Sequence, residues 1–549
     1  MNRRDMMMLG ASGLLAGPAR AENSSNRLIL TGGPIHTGLP GRPAAQALAI
    51  QGSRVKAIGR LKDVRAALPG AREIDLAGAA ALPGLVDSHA HMTGIGLREM
   101  TLNLDQVKSI TELQQTVADW VARHPTGPIV GRGWIETHWP EGRFPTRADV
   151  DAIVPDRPLL LGRSDGHAAL ANSVLLKLAG IDASTTAPAG GQILKDAHGN
   201  PTGMLIDNAQ ALVESQMPSP GPDLIREALI KADRLYASRG WTGLHNMSVS
   251  SQDLALLKLL AASGEVGLRV DNYLDIAFAD QVLAHGPSAD RTGRIRTRGV
   301  KIYSDGALGS RGAALLAPYA DAPDSSGLLL TDEDVVLSVL RRAKKSGAQV
   351  AMHAIGDRGN RASLDWFEQV LGKAKTNKRW RIEHAQVVSP PDLPRFAAMG
   401  VIASMQPSHA IGDLYFAPAR LGPERLKGAY AWTSLLRSGA VVCGGSDAPV
   451  EQGDPRIEFY AAIYRHALNG YVGPDWGLEE RVNRQQALTM FTKAAAYAVG
   501  SDAQRGTLAP GQAASISVFS TDFMAARPAD ILSAKTFLTM VDGRIVFEG

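Results

Sequence analysis

Short apolar runs that end on a polar residue recur along the chain. Residues 82–88, 241–246, 267–274, 299–304, 348–353, 380–384, 401–406 and 441–447 each read as a strand. Between most of them the apolar positions take helical spacing. In residues 331–340, Thr331 and Asp334 predict an N-cap with an acidic first turn, and Gly347 after Lys344-Lys345 predicts the C-cap. Strands alternating with helices predict an α/β protein with a parallel sheet, and eight strands are the number that closes a (β/α)8 barrel of the TIM type.

Both ends of the chain read differently. Arg27-Leu-Ile-Leu30, Ala47-Leu-Ala-Ile50 and Val55-Lys-Ala-Ile58 are short β runs, the last entered through a turn at Gln51-Gly-Ser-Arg54. Residues 516–519, 536–541 and 544–547 repeat the pattern around the turn Asp542-Gly543. Residues 22–81 and 501–549 are therefore expected to join in a small β-sandwich domain beside a barrel region of 82–500. The stretch 103–240 exceeds any ordinary βα loop, and within it Pro158-Leu-Leu-Leu161 predicts a strand and 172–178 a helix. An insertion that leaves the top of the first strand overhangs the mouth of a barrel, so it is expected to be a specificity cap.

Composition narrows the class of partner. With 58 basic and 54 acidic side chains in 549 residues, the formal charge is only +4, and no Lys/Arg cluster marks a nucleic-acid or anionic-lipid surface. A small-molecule substrate is expected, with homo-oligomerisation left open. The lone Cys443 precludes an intrachain disulfide, and its apolar surroundings favour packing over nucleophilic chemistry.

Residues 1–21 have the form of an export signal: Arg3-Arg4, a weakly apolar stretch over 6–19, and the small-x-small site Ala19-Arg20-Ala21. The paired arginines resemble a twin-arginine signal, which predicts a periplasmic or secreted protein. A membrane anchor is disfavoured, because Gly10, Gly13, Gly17 and Pro18 break a run already shorter than the ~20 residues needed to span a bilayer.

Six residues of metal-binding type sit at the ends of the barrel runs: His89, His91, Lys301, His353, His384 and Asp447. Parallel strands deliver such residues to one mouth of a barrel. In an extended strand His89 and His91 point to the same side, and paired neutral imidazoles suit zinc or a similar divalent cation. An ammonium facing a metal is electrostatically wrong. Lys301 makes sense there as a carbamate that bridges two ions; otherwise it is a cation for a substrate carboxylate or for Asp305. Asp447 can bind metal with one oxygen and accept a proton with the other. In the cap and mouth loops, Trp134, His167 and Gln406 are candidate substrate-binding residues; His409 and Arg311 are weaker ones.

Recurrent stretches carry a resemblance that spans nearly the whole chain: Pro83-Gly-Leu-Val-Asp-Ser-His-Ala-His91, Gly131-Arg-Gly-Trp134, Asp165-Gly-His167, Val300-Lys-Ile-Tyr-Ser-Asp-Gly-Ala307, His353-Ala-Ile-Gly-Asp357, Ile382-Glu-His-Ala-Gln386, Ser404-Met-Gln-Pro-Ser-His409 and Gly445-Ser-Asp-Ala-Pro-Val450. They resemble the amidohydrolase superfamily, in particular amidohydrolase family 3 with its N-substituted formamide deformylase-like enzymes. The resemblance implies one ion on His89, His91 and Asp447, a second on His353 and His384, and Lys301 linking them. It also implies hydrolysis of an amide-type carbon–nitrogen bond other than a peptide bond by metal-activated water, with Asp447 as general acid and base. Ester or lactone cleavage on the same scaffold is the enzymatic alternative, and a non-catalytic binding relative is the other. The chain departs from the family's pattern at His245-Asn246 and at Gly511-Gln-Ala-Ala-Ser515.

Overall fold

The computed structural model describes residues 26–164, 166–188, 190–218 and 220–549; Asp165 and residues 1–21, read above as an export signal, lie outside them. All eight expected barrel strands form: β1 Leu85–Ala90, β2 Trp241–Val249, β3 Arg269–Asp275, β4 Ile295–Tyr303, β5 Gln349–Ala354, β6 Arg381–His384, β7 Ile402–Met405 and β8 Val442–Gly444. They lie side by side in chain order, and every neighbouring pair is parallel. The chain beyond β8 brings the two edges together. Ala448 bridges Ala90 in parallel, Asp447 N–H donates to His89 O at 2.6 Å, and His91 N–H donates to Ala448 O at 2.8 Å. The backbone bonds that close the barrel therefore run through three of the six candidate ligands.

Helices over residues 222–239, 251–263, 333–346 and 357–371 cover the outside of the barrel and bury their apolar faces against it. The helix over 333–346 starts later than the sequence predicts, with Asp332 at its N-cap. Thr331 instead donates its hydroxyl to Tyr303 O at 2.6 Å, which ties the helix entry to the end of β4. Gly347 ends the helix with φ 79°, a left-handed conformation that favours glycine.

Both chain ends contribute to one eight-stranded sheet. Its path runs 544–548, 536–541, 516–519, 80–83, 27–35, 45–51, 54–59, with 72–75 also paired to 27–35. Strand alternation sends Leu28 and Leu30 to a core shared with Ile516, Val518 and Leu538. It sends Ile29, Ala47 and Ala49 to the opposite face, under Val64 and Leu68. This sheet leads directly into the barrel, since 80–83 pairs with 516–519 just ahead of β1.

The insertion after β1 builds its own six-stranded sheet in the order 191–195, 201–207, 168–171, 159–163, 129–134, 102–103. Helix 110–123 packs Leu113 and Val117 on it, around Ile129, Trp134, Leu161 and Leu170. The insertion ends earlier than the expected residue 240. Helix 222–239 buries Ile225, Leu229 and Tyr236 in the barrel core, so it belongs to the barrel. No described helix is long and apolar enough to cross a membrane.

Candidate metal centre

The strand ends bring the six candidate ligands together. His91 Nε2 lies 3.1 Å and His89 Nε2 3.4 Å from Asp447 Oδ1, while His384 Nδ1 lies 3.9 Å from Asp447 Oδ2. Lys301 Nζ is 3.4 Å from His89 Nε2, and the His353 and His384 rings are 4.6 Å apart. Donor atoms of His89, His384 and Asp447 all fall within 4.8 Å of one another, and all three residues are buried. His384 and Asp447 hold φ of 71° and 61°, sparsely populated values for non-glycine residues, and such strain concentrates at functional positions.

The electrostatics prepare these groups as ligands. Burial, then the Lys301 charge, drives His89 and His353 well below the ordinary imidazole pKa; burial and His353 do the same to His384. Burial alone would raise Asp447, but the imidazoles of His89 and His91 outweigh it and hold the carboxyl below its usual range. Neutral imidazoles beside an ionised carboxylate are the forms that bind a divalent cation, so the donor set fits the expected metal. Burial lowers Lys301 to about 8, and its amine also lies 5.0 Å above the Tyr303 ring. Asp305 is not its partner. That carboxylate accepts backbone N–H groups from Ala314, Ile355 and Gly356 at 2.8–2.9 Å, and burial pushes its pKa up to about 7.

A layer beneath the ligands was not foreseen from the sequence. Glu383 Oε2 receives His89 Nδ1–H at 2.6 Å, and Arg381 grips the same carboxylate through two bonds of 2.5 and 2.9 Å. Arg381 also donates to Ser88 O at 2.6 Å, to Ser404 Oγ, and to His245 Nδ1 at 2.9 Å. Burial, reinforced by Arg381, pulls His245 down to about 3, so this ring is neutral. The signal was the period-two pair Arg381-x-Glu383 in a strand whose next residue is a candidate ligand. With its Nδ1 proton committed to Glu383, His89 turns a lone pair at Nε2 toward the centre. Glu383→Gln is expected to weaken metal affinity by ~10- to 100-fold, measured by competition with a chelator. Unchanged affinity in a variant that folds would refute this positioning role.

The remaining candidates divide. Gln406 accepts from His384 Nδ1 at 2.9 Å, so it orients a candidate ligand and does not line the cavity, contrary to the expected contact with substrate. Trp134 is also placed differently: it is buried in the cap core, donates its indole N–H to Leu161 O at 2.8 Å, and leaves the cavity wall to its neighbours Gly133 and Ile135. His167 does reach the cavity, with Nδ1 2.7 Å from Asp207 Oδ1 and its ring 5.4 Å from that of His353. His409 Nδ1 receives Gln386 Nε2 at 2.9 Å, which sets its Nε2 3.7 Å from Asp447 Oδ2. Asn246 is used internally, bonded to Met92 N–H and to Asn272, and Arg311 pairs with Asp321. Cys443 packs against Ile402 and Ala494.

The cavity holds about 550 Å³ between the strand ends and the cap. His91, Lys301, His353, His384 and Asp447 line it from the barrel; Arg132, Ile135 and Arg163 line it from the insertion. Residues of the insertion thus face the strand ends across a space that suits a small organic molecule.

Comparison with known proteins agrees with this geometry. The chain is 33% identical over 542 residues to the protein LONG AFTER FAR-RED 3 of Arabidopsis thaliana, covering 95% of this chain and 91% of that one. It is 27% identical over 522 residues to the N-substituted formamide deformylase of Arthrobacter pascens, covering 92% and 95%. The crystal structure of an uncharacterized metal-dependent hydrolase from Pyrococcus horikoshii superposes with a TM-score of 0.75 at 26% identity, covering 92% of this chain and 99% of that one. The model of the amidohydrolase family matches residues 72–547, and the chain belongs to that family.

Proposed function

We propose that this metal-dependent hydrolase cleaves the carbon–nitrogen bond of an N-acyl or N-formyl amine. The observation that carries the reading is the convergence of neutral imidazoles and ionised Asp447 on a cavity sized for a small substrate. The likeness to an enzyme named N-substituted formamide deformylase supports the choice of bond. His89, His91 and Asp447 would hold one ion and His353 and His384 a second, with Lys301 between them as a carbamate. Imidazole and carboxylate donors favour zinc. When bound, such ions acidify water and polarise a carbonyl.

The chain's own residues supply the rest. Asp447 Oδ1 is turned toward His89 and His91, which leaves Oδ2 to take a proton from the attacking water and return it to the leaving nitrogen. Gln386 fixes the ring of His409 beside that oxygen. The cap brings His167 to the cavity wall, where it would meet the substrate. The paired arginines of residues 1–21 add a proposed export to the periplasm, with no anchor retained after cleavage.

Turnover of matched amides, formamides and esters by zinc-loaded protein tests the reading. The expected result is hydrolysis of N-formyl or N-acyl amines that disappears with a chelator and returns with zinc. Cleavage of the esters with no turnover of any matched amide or formamide would replace the amide reading with an esterase.

A further inference from the structure

At the opposite end of the barrel from the histidines, the first residues of β1, β2 and β3 form a second cavity with residues from 492–499 and 505–515. It holds about 30 Å³, close to the volume that one molecule occupies in liquid water. Three buried N–H groups of residues in its wall meet no acceptor among the described residues: Nε2 of His245, Nε of Arg269 and Nε of Arg505. His245 is only 1% exposed. Its tautomer is fixed, because Arg381 can only donate, so Nδ1 accepts and the single proton of the neutral ring sits on Nε2.

The charges around this cavity do not cancel. Asp542 pairs with Arg269, and Arg296 meets both oxygens of Asp271, the one carboxylate of the wall, at 2.6 and 2.7 Å. Arg505 is left over. Burial first, and then the charge of Arg269, lowers its pKa to about 10 in spite of the pull of Asp542. A cation drawn out of water is costly unless it is paired. Water in this space would accept two of the three N–H groups and would then have to place two hydrogens of its own. A monatomic anion accepts all three and supplies the missing charge.

We propose that this cavity binds a monatomic anion of the chloride class between His245, Arg269 and Arg505. Sulfate and phosphate are too large for it. The site stands apart from the reaction assigned to the barrel mouth and does not depend on it. The anion ties the starts of β2 and β3 to residue 505, ahead of the strand 516–519 of the sheet built from both chain ends. Through His245 it also steadies Arg381, which grips Glu383 beneath His89.

Thermal unfolding of the zinc-loaded full chain, with sodium chloride exchanged for sodium gluconate at constant ionic strength, tests the proposal. Chloride is expected to raise the wild-type Tm by about 2 °C or more, since a ligand held by the folded state alone stabilises it by mass action. Arg505→Gln removes the surplus charge and should lose most of that increment. No increment in the wild type, or an equal one in the folded variant, would overturn the proposal. A second measurement needs no variant: wild-type crystals soaked in bromide should show an anomalous peak in contact with His245 Nε2 and the Nε atoms of Arg269 and Arg505. Density there that refines as water, without an anomalous peak, overturns it as well. A peak combined with an Arg505-independent Tm increment in a folded variant marks an adventitious ion only, which also counts against the site.

Discussion

Asp447→Asn is expected to lower kcat by ~10²- to 10⁴-fold, the range that general acid–base catalysis contributes, while leaving substrate binding largely intact. The carboxylate ends the barrel's last strand region with Oδ1 at 3.1–3.4 Å from two imidazoles and Oδ2 near His409. An asparagine retains a ligating oxygen in that position but cannot accept and return a proton. The imidazoles that keep Asp447 ionised also place its folded pKa below the unfolded one, so its contribution to stability is present above the ordinary carboxylate pKa and fades as the pH falls through the folded value. The check is a kcat measurement alongside metal content and binding of a non-hydrolysable analogue. Complete metal loss in a variant that still folds would make Asp447 chiefly a ligand and pass the proton role to His409.

Lys301→Ala is expected to remove turnover beyond the ~10- to 100-fold that losing an outer partner of a metal site costs. Lys301 is buried against His89 and over Tyr303, and no carboxylate pairs with its amine among the described residues. Burial lowers its pKa to about 8, so the free amine that attacks carbon dioxide is accessible near neutral pH. If the working form is a bridging carbamate, truncation opens a space that a short carboxylate can occupy, and formate or propionate should restore part of the activity. Rescue by ethylamine instead of by carboxylates would show that an ammonium is what the site uses.

The barrel was legible because its strands are local apolar runs and their polar ends share one function. Each of the eight runs specifies a strand without reference to its neighbours, and parallel pairing carries all the ends to one mouth. That is why His89, His91, Lys301, His353, His384 and Asp447 could be grouped from spacing alone, and why both termini could be assigned to a sheet. The cap was expected to reach residue 240 because residue order cannot tell which surface the apolar face of helix 222–239 will cover.

What only the tertiary structure decided is the direction of side chains whose chemistry suits two roles. Trp134 and Gln406 have the right residue types for substrate contact, yet the indole N–H goes to Leu161 O in the cap and the amide to His384. Glu383 and Arg381, hundreds of positions from His89 in the chain, become its support only when β6 and β1 face each other across the barrel. The cavity lining of Asp105, Asp413 and Glu451 is assembled from three distant segments in the same way. The sequence by itself determined the strands, their order and which candidate ligands end them, because those follow from local hydrophobic periodicity and from chain direction. The partners of each buried polar group were decided by closure of the barrel and docking of the cap, since hydrogen bonds in a dry interior go to whichever group the packing brings within reach.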